Sequence, residues 1–182
     1  MSEISDRFRR VADGFTTRAK AVPADGWDRP SPCEGWLARD VVAHVVGAAG
    51  MFLGRVGVEL PATQSPDDDP IAAWEAARDA VQAALDDPTI ASREYDSPMG
   101  ITTLERTIGM FGIGDVLVHT WDLARATGLD EHLDPDEVHR LLEVMEPNDA
   151  MMRQGSAFGP KVDVPDDADE QTKLLAFSGR RP

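Results

Sequence analysis

The chain has 182 residues, 33 acidic and 18 basic, for a formal net charge of −15. That balance argues against a general binder of phosphate backbones or anionic lipid, which needs a basic face, while 42% hydrophobic content supports a packed core. One cysteine rules out an internal disulfide and a cysteine-cluster metal site.

The length predicts one domain over 1–182, with 159–182 as a Pro/Asp-rich tail. The first ten residues are charged and lack the apolar stretch of a secretory signal. The longest apolar run, Val41 to Gly54, is interrupted by His44 and is shorter than the ~20 residues of a membrane span. The expectation is a cytoplasmic protein with no membrane and no nucleic acid among its partners.

Residues 4–21 read as an amphipathic helix, with Ile4, Phe8, Val11, Phe15 and Ala19 at steps of three and four. A loop punctuated by Pro23, Gly26, Pro30 and Pro32 follows. A second helix, about Leu37 to Gly57, is apolar almost all round, which marks burial on most faces. After a Pro/Asp-rich connector, Pro61 to Pro70, a third helix runs from Ile71 to Leu85 with Trp74, Ala77 and Val81 on its apolar face. Residues 86–100 read as irregular, with one extended piece around Arg93–Asp96. A fourth helix spans Thr102 to Thr127 and stops at Gly128. Its internal Gly109, Gly112 and Gly114 weaken it and point to close approach of a neighbouring helix. Pro135 opens a fifth helix to Met145. The end of the chain carries a short helix around Ala168–Phe177. The fold class is therefore all-α, an antiparallel helical bundle.

Chemistry is expected where polar residues occupy core-facing positions. On the second helix Val41, His44, Val45, Ala48 and Phe52 share a stripe whose one ionisable member is His44. On the fourth helix Leu104, Ile108, Phe111, Asp115, His119, Asp122 and Ala126 form one seam with three ionisable members. Asp115 and His119 are one turn apart and can converge on one point. Such a pair chelates a metal when a facing helix supplies a third ligand, here His44. The same residues also read as a hydrogen-bonded core histidine and an ordinary helix ion pair.

Other features carry less. His132 and His139 fit a solvated acidic helix face. Cys33 has no adjacent basic residue and reads more readily as a packed thiol than as a nucleophile. Residues Gly155 to Gly159 lack nucleophile-elbow spacing, Gly112-Ile113-Gly114 lacks a preceding strand, and Asp67-Asp68-Asp69 lacks the spacing of a calcium loop.

Ser31-Pro-Cys-Glu-Gly-Trp36, followed by Ala38-Arg-Asp-Val-Val-Ala-His44, resembles the second-helix signature of the DinB-like metal-binding superfamily. The likeness is greatest to the actinobacterial branch related to the metal-binding N-terminal domain of mycothiol-dependent maleylpyruvate isomerase. Asp115-Val-Leu-Val-His-Thr-Trp-Asp-Leu-Ala-Arg-Ala-Thr-Gly128 resembles that branch's second signature, and Phe158-Gly-Pro-Lys-Val onward resembles its tail.

The resemblance implies a DinB-like four-helix bundle with short additional C-terminal helices. It implies one divalent metal, zinc or alternatively nickel, held by His44, Asp115 and His119. This chain has Asp115 where many members carry His and the isomerase Glu, and Leu37 where relatives often carry Thr or Ser. The full isomerase has an additional C-terminal domain that 182 residues do not accommodate.

On this reading mycothiol, a low-molecular-weight thiol, is the cosubstrate of an isomerase or S-transferase acting on a small electrophile. Asp122 is placed as a hydrogen-bond partner of a ligand imidazole, or as the carboxylate ligand in place of Asp115. Trp36 and Trp121 are candidates to line the pocket, with core packing as the alternative. The alternative function is a non-catalytic metal-binding or structural helical module acting as a homodimer.

Overall fold

The computed structural model describes residues 2–61, 65–153 and 159–182, and the chain divides into two compact units, Met1–Glu131 and His132–Pro182. Part of the 61–70 connector, most of the 155–159 segment and the start of the tail signature at Phe158 fall outside the described residues.

In the first unit, α1 (Glu3–Ala21) starts at a Ser2 cap whose hydroxyl accepts from Ser5 N, and places Glu3 and Asp6 in its first turn and Arg18 and Lys20 in its last. Both choices suit the helix dipole. Its inward face is Phe8, Val11, Ala12, Phe15 and Ala19. α2 (Ala38–Gly54) starts at Leu37, which has no side-chain acceptor; instead Asp40 Oδ2 accepts from Leu37 N at 2.7 Å, one half of a capping box. α3 (Pro70–Asp86) is capped by Asp69, which accepts from Ala72 N, and carries Pro70 at its first position.

The 86–103 segment keeps its expected extended piece, as a strand over Glu94–Ser97, and holds more structure than expected. A one-turn helix α4 (Pro88–Ala91) leads into an antiparallel hairpin of β1 (Glu94–Ser97) and β2 (Gly100–Thr103), with Glu94 opposite Thr103 and Ser97 opposite Gly100. Gly100 closes the turn at φ +99°, a conformation that favours glycine. Ile101, Thr102 and Thr103 are β-branched and take the strand, so the helix begins two residues later than expected, with Thr103 as its cap.

The fourth long helix comprises α5 (Leu104–Thr107), one wide π turn (Ile108–Gly112) and α6 (Ile113–Thr127), ending at Gly128 in the left-handed conformation. The π turn adds a residue to one turn and rotates the helical phase. Gly112 therefore takes the inward position and Phe111 is 40% exposed, against its expected place in the seam. Gly109 serves close approach as expected: a Cβ there would lie 2.7 Å from Ile4 Cδ1 of α1.

Each of α1, α2, α3 and α6 packs on two of the others, with α1 and α2 each against α3 and α6. Phe15 and Trp74 meet at 4.6 Å between ring centroids, and Leu53, Leu104 and Ile113 are also fully buried. This is the expected all-α, DinB-like arrangement with the hairpin added. Among the described residues no helix is long and apolar enough to cross a membrane.

In the second unit, α7 (Pro135–Met145) is capped by Asp134 and runs into a 3₁₀ turn and the short α8 (Asp149–Met152). α9 (Glu170–Phe177) is capped by Asp169. α7 packs on α9, and exposed His139 and Glu170 join them, with Nδ1 2.8 Å from Oε1. Phe177 lies under the Arg153 guanidinium and the Lys161 ammonium.

Candidate metal centre

The site is assembled from three pieces of the first unit. Residues 27–37 form a tight loop pinned to the start of α2: Ala38 N donates to Arg29 O, Arg39 N to Trp27 O, and Ser31 N to Trp36 O. Within it Gly35 turns at φ +78°, and the Ser31 hydroxyl accepts from Cys33 N. The loop thereby fixes Cys33 and Trp36 beside α6. α2 contributes His44. α6 contributes Asp115, His119 and Asp122, directly after the π turn; such turns are frequent near functional sites.

His44 Nε2 lies 3.1 Å from Asp115 Oδ1, and His119 Nε2 lies 3.6 Å from the same oxygen. One donor atom from each residue falls within 4.8 Å of the others. Four-coordinate zinc, with bonds of ~2.0–2.2 Å, separates its ligand atoms by roughly 3.3–3.6 Å. The observed 3.1 and 3.6 Å bracket that range closely. The i, i+4 spacing on α6 brings His119 to Asp115, and His44 reaches the same oxygen from a second helix. Two imidazoles and a carboxylate also make a donor set suited to zinc or nickel.

His44 differs from its expected core position: its side chain is 37% exposed, at the rim, while Val41 and Val45 on the same stripe are buried. His119 is only 6% exposed and Asp122 is sealed. His119 Nδ1 lies 2.9 Å from Asp122 Oδ2, yet its N–H is directed off that oxygen and makes no aligned hydrogen bond. A buried, misaligned donor is costly and calls for a partner.

Trp36 covers the two imidazoles, 5.0 Å from His44 and 5.9 Å from His119, with the second pair nearly parallel. Trp121 has the other role weighed for it: it is buried, with the Arg125 guanidinium 4.6 Å from its ring. On the core side, Asp115 borders an apolar cleft lined by Phe8, Val45, Phe52, Ile108 and Val116.

From the sequence, Cys33 reads more readily as a packed thiol than as a nucleophile. The structure puts its Sγ 3.4 Å from Asp122 Oδ2, and Cys33, His119 and Asp122 form a second group whose donor atoms lie within 4.8 Å of one another. The available signal was the place of Cys33 inside the Ser31–Trp36 motif.

The family model of the mycothiol maleylpyruvate isomerase N-terminal domain matches residues 8–124, a span holding every residue of the site. Two uncharacterized proteins of Mycobacterium tuberculosis, one from strain CDC 1551 / Oshkosh and one from strain ATCC 25618 / H37Rv, are each 31% identical over 174 residues, covering 94% of this chain and 94% of their own. No solved structure matches the chain.

Proposed function

The chain belongs to the mycothiol maleylpyruvate isomerase N-terminal domain family, and from that premise we propose that it holds one divalent metal ion, zinc or nickel, at His44, Asp115 and His119. It uses mycothiol, or a similar small thiol, to isomerise or S-conjugate a small electrophile. The observation that carries this reading is the convergence of the three side chains, with 3.1 and 3.6 Å between donor atoms on two separate helices.

A divalent ion bound there lowers the pKa of a coordinated thiol, so that a thiolate is present at neutral pH. His44, Asp115 and His119 would hold the ion with a single negative charge among them, so a net positive charge would remain to favour an anionic thiolate. Asp122 is placed to accept a hydrogen bond from the Nδ1–H of His119, the tautomer that leaves the Nε2 lone pair for the triad. Trp36 packs over both imidazoles and excludes water from that side. Half-exposed His44 marks the side from which small molecules approach. The reaction is placed in the cytoplasm, where a reducing environment keeps both Cys33 and a small thiol reduced.

Elemental analysis of the purified, untagged protein beside a His44→Ala/His119→Ala double variant tests this. About one zinc or nickel per chain in the parent, absent from a variant that keeps its helicity, is the expected result. No metal in the parent, even after reconstitution, would overturn the reading, as would stoichiometric metal retained by the variant.

A further inference from the structure

His119 stands between two carboxylates. Its Nε2 lies 3.6 Å from Asp115 Oδ1 and its Nδ1 lies 2.9 Å from Asp122 Oδ2. A neutral imidazole offers a lone pair at only one nitrogen at a time, and the other carries the proton. Whichever nitrogen binds a metal, a carboxylate oxygen lies near the opposite one.

The Nδ1 side has a donor set of its own. The Cys33 thiol is 3.4 Å from Asp122 Oδ2, and Cys33, Asp122 and His119 each bring a donor atom within 4.8 Å of the others. His119 is more than nine-tenths buried, and its Nδ1 points into this cluster without an aligned hydrogen bond. The two sides differ in chemistry. The triad has one anionic ligand. The Cys33 side supplies a thiolate and a carboxylate, which together neutralise a divalent ion in a buried place. Thiolate ligands also select softer ions than imidazole and carboxylate do.

We propose that Cys33, Asp122 and His119 Nδ1 form a second metal position, selective for thiophilic divalent ions, whose occupancy excludes metal from the triad because the two share His119. On binding, the Cys33 S–H bond breaks, sulfur bonds to the ion, and the proton leaves to solvent. The imidazole proton moves from Nδ1 to Nε2, facing Asp115. A soft ion thereby withdraws a ligand from the triad. Only the exclusion rests on the proposed triad; the Cys33 position does not.

Cadmium and nickel are the probes, added to the full chain. Cd²⁺ titration is expected to reach one ion per chain, with a near-ultraviolet thiolate-to-metal charge-transfer band and release of one proton from Cys33. Preloaded Ni²⁺ is expected to leave one for one as the band grows. The band is lost in Cys33→Ser, whose side chain keeps a similar shape, and in His119→Ala. It persists in His44→Ala, which removes only a triad ligand, and circular dichroism verifies the fold of each variant.

Absence of the band in the parent overturns the proposal, as does a band that survives His119→Ala undiminished, which would make Cys33 an isolated thiol ligand. Nickel retained at full stoichiometry beside bound cadmium overturns the exclusion. A parent that shows the band but never holds nickel or zinc at His44 leaves the Cys33 position standing and refutes the triad.

Discussion

Asp122→Asn isolates the contribution of a buried charge at nearly constant shape. Asp122 has no exposed surface, and one of its oxygens lies 2.9 Å from His119 Nδ1 and 3.4 Å from Cys33 Sγ. Asn keeps the volume. It removes the negative charge that favours a proton on Nδ1, and it can turn an NH₂ toward that nitrogen. In that orientation the Nδ1 lone pair is held by the amide, the proton sits on Nε2, and His119 no longer offers a lone pair to the triad. Loss of a carboxylate behind a ligating histidine costs 10–100-fold in metal affinity in general, about 1.4–2.7 kcal/mol. We expect Ni²⁺ affinity to fall within that range in Asp122→Asn, measured by competition against a chromophoric chelator, with far-ultraviolet circular dichroism unchanged. Affinity within about threefold of the parent, in a folded variant, would refute the orienting role.

Three further predictions concern stability. Thr16 Oγ1 accepts from Trp74 Nε1 at 2.9 Å and from Arg78 Nη1 at 3.2 Å, and Thr16→Val leaves the buried indole N–H unpaired. The cost is about 1–3 kcal/mol, at about 2–4 °C of Tm per kcal/mol, and an unchanged melting temperature by calorimetry would contradict it. The Asp86 carboxyl is held below its ordinary range, chiefly by the Ser5 hydroxyl and further by Gln82 and Arg9. Its contribution is therefore present above the unfolded pKa and lost as pH falls through the lower folded value. Ser5→Ala should narrow the stability difference between neutral pH and strong acid in urea titrations; an identical pH profile would rule this out. His139 is raised above 6.5, first by its hydrogen bond to Glu170, then by the charges of Glu170 and Glu143. That contribution is full below the unfolded pKa and disappears as pH rises through the raised one. In Glu170→Gln the His139 ring resonances should titrate at lower pH by NMR, and an unmoved midpoint would show that Glu170 is not the cause.

The long helices were legible because their caps and apolar spacing are local. Gly128 stops the fourth helix through its own backbone freedom, and Asp69-Pro70 starts the third through one side chain and one fixed φ. The hairpin was not legible because Thr102 and Thr103 suit both a helix start and a strand, and strand pairing settles the choice. Phe111 illustrates a different limit. Counting at 3.6 residues per turn puts it on the inner seam, but the π turn over Ile108–Gly112 shifts the phase just before Asp115. Spacing after that turn remained readable because Asp115, His119 and Asp122 all lie beyond it on regular helix.

The least legible part of the site was the loop. Periodicity gave His44 a place on α2 and Asp115 and His119 a place on α6, since a helix assigns faces from spacing alone. No such rule governs residues 31–36. Cys33 reaches Asp122, 89 positions away, because Gly35 adopts a positive φ and Ser31 pairs with Trp36 across the loop. A lone cysteine without a basic neighbour in sequence looks inert, and here the groups that define its environment come from another helix. The same fold that builds one expected donor set thus turns the shared imidazole toward a second one. His119 is the residue common to both groups: Nε2 lies beside Asp115 and Nδ1 beside Asp122, and a neutral imidazole has one lone pair, so under the proposal its tautomer decides which donor set is complete.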